Sequence, residues 1–278
     1  MGYRCFEFEV IDKVAHVRMC RPDEYNSMVR EFWMELPQLV RELDDRGDVR
    51  ALVLSSTGKH FTAGMDLSVF TGDSLGGGDA EIGRTRARLR QTALMLQDTF
   101  SSLEKARFPV LVAVQGGCIG GGVDLVTAAD MRYASADAYF VIQEINIGMT
   151  ADVGTLQRLP KLIPDGVARE LAYTGRRMTA ERAARVGLVN EVFATHDELV
   201  EGVLAIAGEI ATKSPLAVWG TKQMLTYTRD HSVADGLEYI ATWQTGMFQP
   251  ADMLETFSAK ADKRDPDFPD LLPTPRAF

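Results

Sequence analysis

Gly116, Gly117, Gly120, Gly121 and Gly122 fall within seven residues, between the apolar run Pro109–Gln115 and a helix-favouring segment, Val123–Ala129. A glycine turn that opens a helix exposes backbone N–H groups on the positive end of the helix dipole, which is a place to hold an anion. The segment has neither the G-x-G-x-x-G register of a dinucleotide loop nor the Lys-Ser/Thr of a P-loop, so an oxyanion suits it better than a phosphate. A plain tight turn explains one or two glycines more easily than five. Three acids also flank apolar sequence: Asp124 two residues past the cluster, Glu144 after an apolar strand, and Asp152 in Met149-Thr150-Ala151-Asp152-Val153-Gly154. A carboxyl held among apolar groups titrates nearer neutrality and can exchange protons there. Each acid taken singly also fits a helix cap or a salt-bridge partner, and Asp152 stands where it could cap the helix that follows.

Other reactive residue types give less. Gly72-Asp73-Ser74-Leu75-Gly76 has the letters of a G-x-S-x-G nucleophile elbow, but Gly76-Gly77-Gly78 continues as a loop where the elbow needs a helix. The four histidines, His16, His60, His196 and His231, have no partners at metal-ligand spacing, so no metal site is expected.

Positioning these groups requires a layered α/β chain. Phe6, Phe8 and Val10 alternate with polar residues, and a second run through Val14, His16 and Arg18 completes a hairpin. A helix is expected over Ser27–Asp45. The short apolar runs Arg50–Ser55 and Pro109–Gln115 read as neighbouring parallel strands covered on both faces. Between them lie a Gly/Ser-rich loop, Thr71–Gly78, and a long helix over Ala80–Lys105. A further strand pair is expected at Met131–Tyr133 and Tyr139–Ile142. Helix dominates from Asp152 onward, most clearly over Thr179–Val186 and Asp197–Lys213. This places a sheet-containing core at 1–200 and a helical region at 201–278.

Composition narrows the class. With 278 residues, 46% apolar and 25% charged, the chain can bury a sizeable core. Its net charge of −9 argues against nucleic acid as the main partner. Cys5, Cys20 and Cys118 are too few and too scattered for a disulfide framework, which suits a reducing compartment. No apolar stretch reaches a membrane span, the first residues do not form an export signal, and the final Pro275-Arg276-Ala277-Phe278 is no peroxisomal address; a cytoplasmic protein is the expectation.

Longer motifs carry a resemblance from about Phe6 to Phe268. Arg21-Pro22-Asp23-Glu24-Tyr25-Asn26-Ser27-Met28, His60-Phe61-Thr62-Ala63-Gly64-Met65-Asp66-Leu67, and Gly116 to Arg132 resemble three successive elements of the crotonase, or enoyl-CoA hydratase/isomerase, superfamily. The resemblance implies a ββα-superhelix core and a helical C-terminal trimerisation region. It also implies an acyl-CoA thioester as substrate and an oxyanion hole built from the amides of Met65 and Gly121. Ala63, Gly64, Asp66 and Gly120 would border the substrate, and Lys260, Lys263 or Arg264 would meet the CoA phosphates. No cofactor beyond the substrate's own CoA is implied.

The segments Gly116–Leu125, Gln143-Glu144 and Ala151–Pro160 are most similar to the branch that shifts 3,5-dienoyl-CoA to 2,4-dienoyl-CoA in fatty acid β-oxidation. That similarity puts Asp124, Glu144 and Asp152 on its acidic positions, with Glu144 taking a C2 proton, Asp152 delivering one to C6 and Asp124 in support. Hydratases of the superfamily are expected to carry Glu at position 124 and no acid at 152. A 2-enoyl-CoA hydratase is therefore the alternative, and a non-catalytic acyl-CoA-binding protein the second alternative. The resemblance further implies a homotrimer or homohexamer, with Trp243, Phe248 and Phe257 packing between subunits; the same aromatics could instead fill their own subunit's core.

Overall fold

The computed structural model describes residues 2–70 and 81–275. The Gly/Ser-rich segment Thr71–Gly78 with its Ser74, Ala80, and Arg276–Phe278 lie outside the described residues.

The chain opens with β1 (Phe6–Ile11) and β2 (Val14–Met19), an antiparallel hairpin as the alternation predicts. Helix α1 (Arg30–Arg46) leads to β3 (Ala51–Ser56), and α2 (Ile82–Lys105) leads to β4 (Val110–Val114). Strand β5 (Gly117–Ile119) and helix α3 (Gly121–Ala128) carry the glycine turn, followed by β6 (Met131–Ser135) and β7 (Tyr139–Val141). Then come α4 (Thr155–Arg158), α5 (Asp165–Thr174), β8 (Met178–Thr179), α6 (Ala180–Val186), β9 (Glu191–Phe193) and α7 (His196–Ala211). Three helices close the chain: α8 (Pro215–Thr228), α9 (Val233–Met247) and α10 (Pro250–Asp262).

The main sheet has the order β1-β2-β3-β4-β6-β9, parallel from β2 onward, and β3 and β4 are neighbours as expected. Buried strands of this kind need cover on both faces, and alternate residues supply two cores. Ala15, Val17, Leu52, Leu54, Val110 and Val112 face α1 and α2 through Phe32, Leu36, Leu39, Phe100 and Leu103. Val14, Ala51, Val53, Leu111 and Ala113 face Leu199, Val203, Ala207 and Ala211, a four-residue stripe along α7. The expected division at residue 200 thus falls inside α7, a helix whose buried face covers the sheet.

Two expectations change. The runs at Met131–Tyr133 and Tyr139–Ile142 are strands but do not pair with each other: β6 joins the main sheet, while β7 joins β5 and β8 in a second, three-stranded sheet. The region after Asp152 is broken by β8 and β9, whose two and three residues are too short to give a period of their own. The second sheet matters for the site, because β5 ends at the glycine turn and β7 ends just before Glu144. Beyond α7, Lys222 is 5% exposed and donates to the carbonyls of Leu103 and Phe108 at 2.7 and 2.9 Å, fastening α8 to the end of α2.

Candidate active site

The loop at 60–66 and the glycine turn run side by side. Thr62 N donates to Gly117 O at 3.0 Å, Ile119 N donates to Thr62 O at 3.2 Å, and Thr62 and Cys118 form a parallel bridge. A second bridge joins Met65 to Met28. The Arg21–Met28 motif serves as the anchor of this arrangement. Asn26 is buried and donates from Nδ2 to the carbonyls of Thr57 and His60, while its Oδ1 accepts from Arg21 N. His60 contributes too, its Nδ1 accepting from Gly117 N at 2.9 Å.

Met65 and Gly121 each follow a glycine with positive φ. Gly64 has φ +87, and a methyl group added there would stand 2.6 Å from Ile119 O and 3.5 Å from Gly121 N. The two loops therefore touch where Met65 and Gly121 begin. Gly120 has φ 53 and ψ −120, a region closed to side chains, and it turns the chain into α3. The amides of Met65 and Gly121 have no acceptor among the described residues. Their neighbours are occupied: Gly120 N donates to Val141 O and Ala63 N to Tyr25 O, both at 2.9 Å. The Asp66 carboxylate accepts from Ser27 Oγ at 2.8 Å and Ser68 N at 2.9 Å, which hold it below the usual range.

The three acids converge beside this junction. A methyl group on Gly120 would lie 3.3 Å from Glu144 Oε1, so that carboxylate sits against the peptide leading into Gly121. Glu144 opens a 3-10 turn directly after β7 and Gln143. Burial first, then the charges of Asp124 and Asp152, working against hydrogen bonds from the Glu144 and Gln143 amides, push its carboxyl up to about 7. Asp124, in the first turn of α3, is 1% exposed. Burial raises it to about 6, opposed by hydrogen bonding to Thr155 and supported by the charge of Asp152. Two of the acids are thus poised near neutrality; Glu144 feels the charges of both other acids and Asp124 that of Asp152.

Asp152 differs from both. It is exposed while Ala151 and Val153 on either side are buried, yet its charge is near enough to raise both Asp124 and Glu144. It does not cap the following helix. The residue that does so is Asp124, whose Oδ1 accepts from Thr155 N at 2.6 Å across 31 residues of sequence. A short helix whose own N-cap is Gly154 has no side chain to offer, and the α3 carboxylate fills that role.

Residues the sequence reading did not mark also meet here. Gln97 of α2 donates from Nε2 to the Asp152 carbonyl at 2.8 Å. Arg158 lies against Gly154 and donates to Ser101 Oγ at 3.1 Å and Glu104 Oε2 at 2.6 Å. Position 97 falls in an amphipathic helix with no motif around it, so only the fold reveals its partner. Lys260 is exposed on α10, its carbonyl accepting from the Lys263 amide at 3.4 Å. Arg264 is engaged by both oxygens of Glu255 at 2.5 and 3.0 Å, which removes it from the free cations expected for a phosphate. Trp243 packs edge-on to Trp219 within the chain at 5.1 Å, whereas Phe248 and Phe257 are exposed. Among the described residues no three His, Cys, Asp or Glu side chains are grouped to hold a metal ion, and no helix is long and apolar enough to cross a membrane.

A sheet-and-helix core that brings two glycine-led amides to a buried carboxylate has the architecture of one family, and the chain belongs to it: the model for Enoyl-CoA hydratase/isomerase matches residues 9–271. The core is crotonase-like. Among curated relatives, the chain is 44% identical over 253 residues to the mitochondrial Delta(3,5)-Delta(2,4)-dienoyl-CoA isomerase of Homo sapiens, covering 91% of this chain and 77% of that one. It is 43% identical over 261 residues to the peroxisomal Delta(3,5)-Delta(2,4)-dienoyl-CoA isomerase of Arabidopsis thaliana, covering 93% of each. Among solved structures it is similar to an enoyl-CoA hydratase from Bacillus anthracis, with a TM-score of 0.85 at 28% identity over 95% of this chain and 99% of that one.

Proposed function

We propose that this protein is an acyl-CoA isomerase that converts 3,5-dienoyl-CoA to 2,4-dienoyl-CoA. The observation that carries the reading is Glu144 Oε1 lying against the Gly120–Gly121 peptide. A thioester carbonyl accepting hydrogen bonds from Met65 and Gly121 would hold its C2 beside that carboxylate. Glu144 takes the C2 proton, and the electrons of the broken C–H bond move onto a trienolate running from the carbonyl oxygen to C6. Each fixed amide aimed at the oxygen is worth about 3 kcal/mol in the transition state. Asp152 delivers a proton to C6, and the C–H bond formed there leaves double bonds at C2 and C4. The two proton sites lie four carbons apart, so two separated acids are needed. This step asks for no cofactor beyond the CoA of the substrate.

Hydration is the weaker reading because it needs a second acid free to activate water. Asp124 is 1% exposed and already engaged by Thr155 N at 2.6 Å. The names of the curated relatives favour isomerisation as well. We place Ala63, Gly64, Asp66 and Gly120 at the border of the substrate and Lys260 at the CoA phosphates. We propose a homotrimer or homohexamer, supported by Leu225, Leu237, Phe248, Leu254 and Phe257, all more than half exposed. A reducing compartment fits the three free cysteines; the cytoplasm is one, and the two curated relatives are named for mitochondria and peroxisomes.

The test follows conjugated 2,4-dienoyl-CoA by absorbance with wild type, Glu144→Gln and Asp152→Asn. Wild type is expected to turn over 3,5-dienoyl-CoA, and each variant to lose at least a hundredfold in kcat while still binding the thioester. Because a base must be deprotonated, wild-type kcat/KM should rise with pH through about 7, the value to which burial brings Glu144. Formation of 3-hydroxyacyl-CoA from a simple enoyl-CoA without isomerisation would establish hydration instead. Binding without turnover of either substrate would make the protein a carrier.

A further inference from the structure

Asp152 sits on a segment with little secondary structure of its own, between the 3-10 turn at Glu144–Ile147 and the four-residue helix α4. Asp152 itself is exposed, so its placement relative to Glu144 depends on what fixes its backbone. Ala151 and Val153 are each 5% exposed and peg the chain into the core on either side. Between these pegs the Asp152 carbonyl accepts from a side chain of another element, Gln97 of α2, whose Nε2 donates to it at 2.8 Å. One and two turns further along the same helix, Ser101 and Glu104 take the guanidinium of Arg158, which lies against Gly154. The far oxygen of Glu104 accepts from Arg229 at the end of α8. Burial alone would raise the Glu104 carboxyl, but Arg158 and Arg229 hold it below the usual range, so it stays ionised and keeps both cations.

From this juxtaposition we infer that Gln97 is a positioning residue for proton delivery, with α2 acting as the brace that sets how far the Asp152 carboxyl stands from the far end of the acyl chain. The inference rests on the isomerase reading and assigns α2 a part in its second half only. Glu144 follows β7 and accepts from the amides of residues 143 and 144, whereas the side-chain amide of Gln97 is spent on the Asp152 carbonyl. Removal of the Gln97 donor should therefore slow protonation at C6 and leave proton removal at C2 intact.

The two half-reactions can be read separately. In heavy water, abstraction and return at C2 exchanges that hydrogen for deuterium whether or not C6 is reached, and completed turnover appears as 2,4-dienoyl absorbance. Gln97→Met keeps the length and loses the donor; Gln97→Glu keeps the shape and turns an oxygen toward the carbonyl. Both are expected to lose about ten- to a hundredfold in isomerisation kcat, the scale of a misplacement near 1 Å, with KM within twofold and C2 exchange at the wild-type rate. Amide hydrogen exchange over residues 149–155 should accelerate in both variants, a readout independent of the reaction. Exchange at C2 falling in step with isomerisation, or kcat unchanged while the 149–155 amides open, would overturn the assignment. Failure of the isomerase reading appears differently, as wild-type enzyme that neither exchanges C2 nor isomerises.

Discussion

Asp124→Asn tests the electrostatics of the site directly, because it removes a charge while leaving an oxygen to accept from Thr155 N. In the folded protein burial raises the Asp124 carboxyl from its ordinary 3.8 to about 6. The folded chain therefore binds this proton more tightly than the unfolded one, so the associated stability is complete below pH 3.8 and is lost as pH rises through 6. That rise in the carboxyl's pKa corresponds to about 3 kcal/mol in full. Roughly half of it remains at pH 5 and essentially none at pH 8. Asparagine does not titrate. Urea unfolding at pH 5 and pH 8 should therefore show the variant gaining on wild type by about 1 kcal/mol or more between the two values. Glu144 adds in the same direction, since the charge of Asp124 is one of the causes that raise it. The same relief should move the acidic limb of the kcat/KM profile to lower pH. Parallel stability-versus-pH curves for the two proteins, with an unmoved acidic limb, would refute the claim that these carboxyls repel one another in a dry pocket.

Gly64→Ala should cost about 2 kcal/mol or more, because φ +87 strains an L residue and the new methyl meets Ile119 O at 2.6 Å. Spreading the two loops also misaims their amides, so thermal unfolding should shift down and kcat should fall by about a hundredfold, the worth of one such donor; unchanged kcat in a folded variant would remove the amides from the mechanism. Light scattering is expected to give three or six times the 30.7 kDa chain. A stable monomer would leave the exposed Phe248 and Phe257 without the subunit contacts proposed for them.

What the sequence determined on its own is what short-range chemistry encodes. The hairpin alternation of Phe6–Arg18, the helix over Asp197–Lys213 and the glycine turn ahead of α3 are all legible because each is written in neighbouring residues. The identities of Asp124, Glu144 and Asp152 as the acids to watch are legible too, from their apolar flanks and the motifs around them. Which of them meets the following helix is not. Asp152 stands where a cap of α4 could be, yet the orphan N–H of Thr155 is met by Asp124 from 31 residues away. The pairing of β7 with β5 and β8, which sets Glu144 against the Gly120–Gly121 peptide, joins segments whose own sequences say only that they are extended. Gln97 carries no local mark at all, and its role exists only because α2 crosses the Asp152 segment. A hydrogen bond or a desolvated charge is a property of two surfaces brought together, and one strand of sequence describes only one of them.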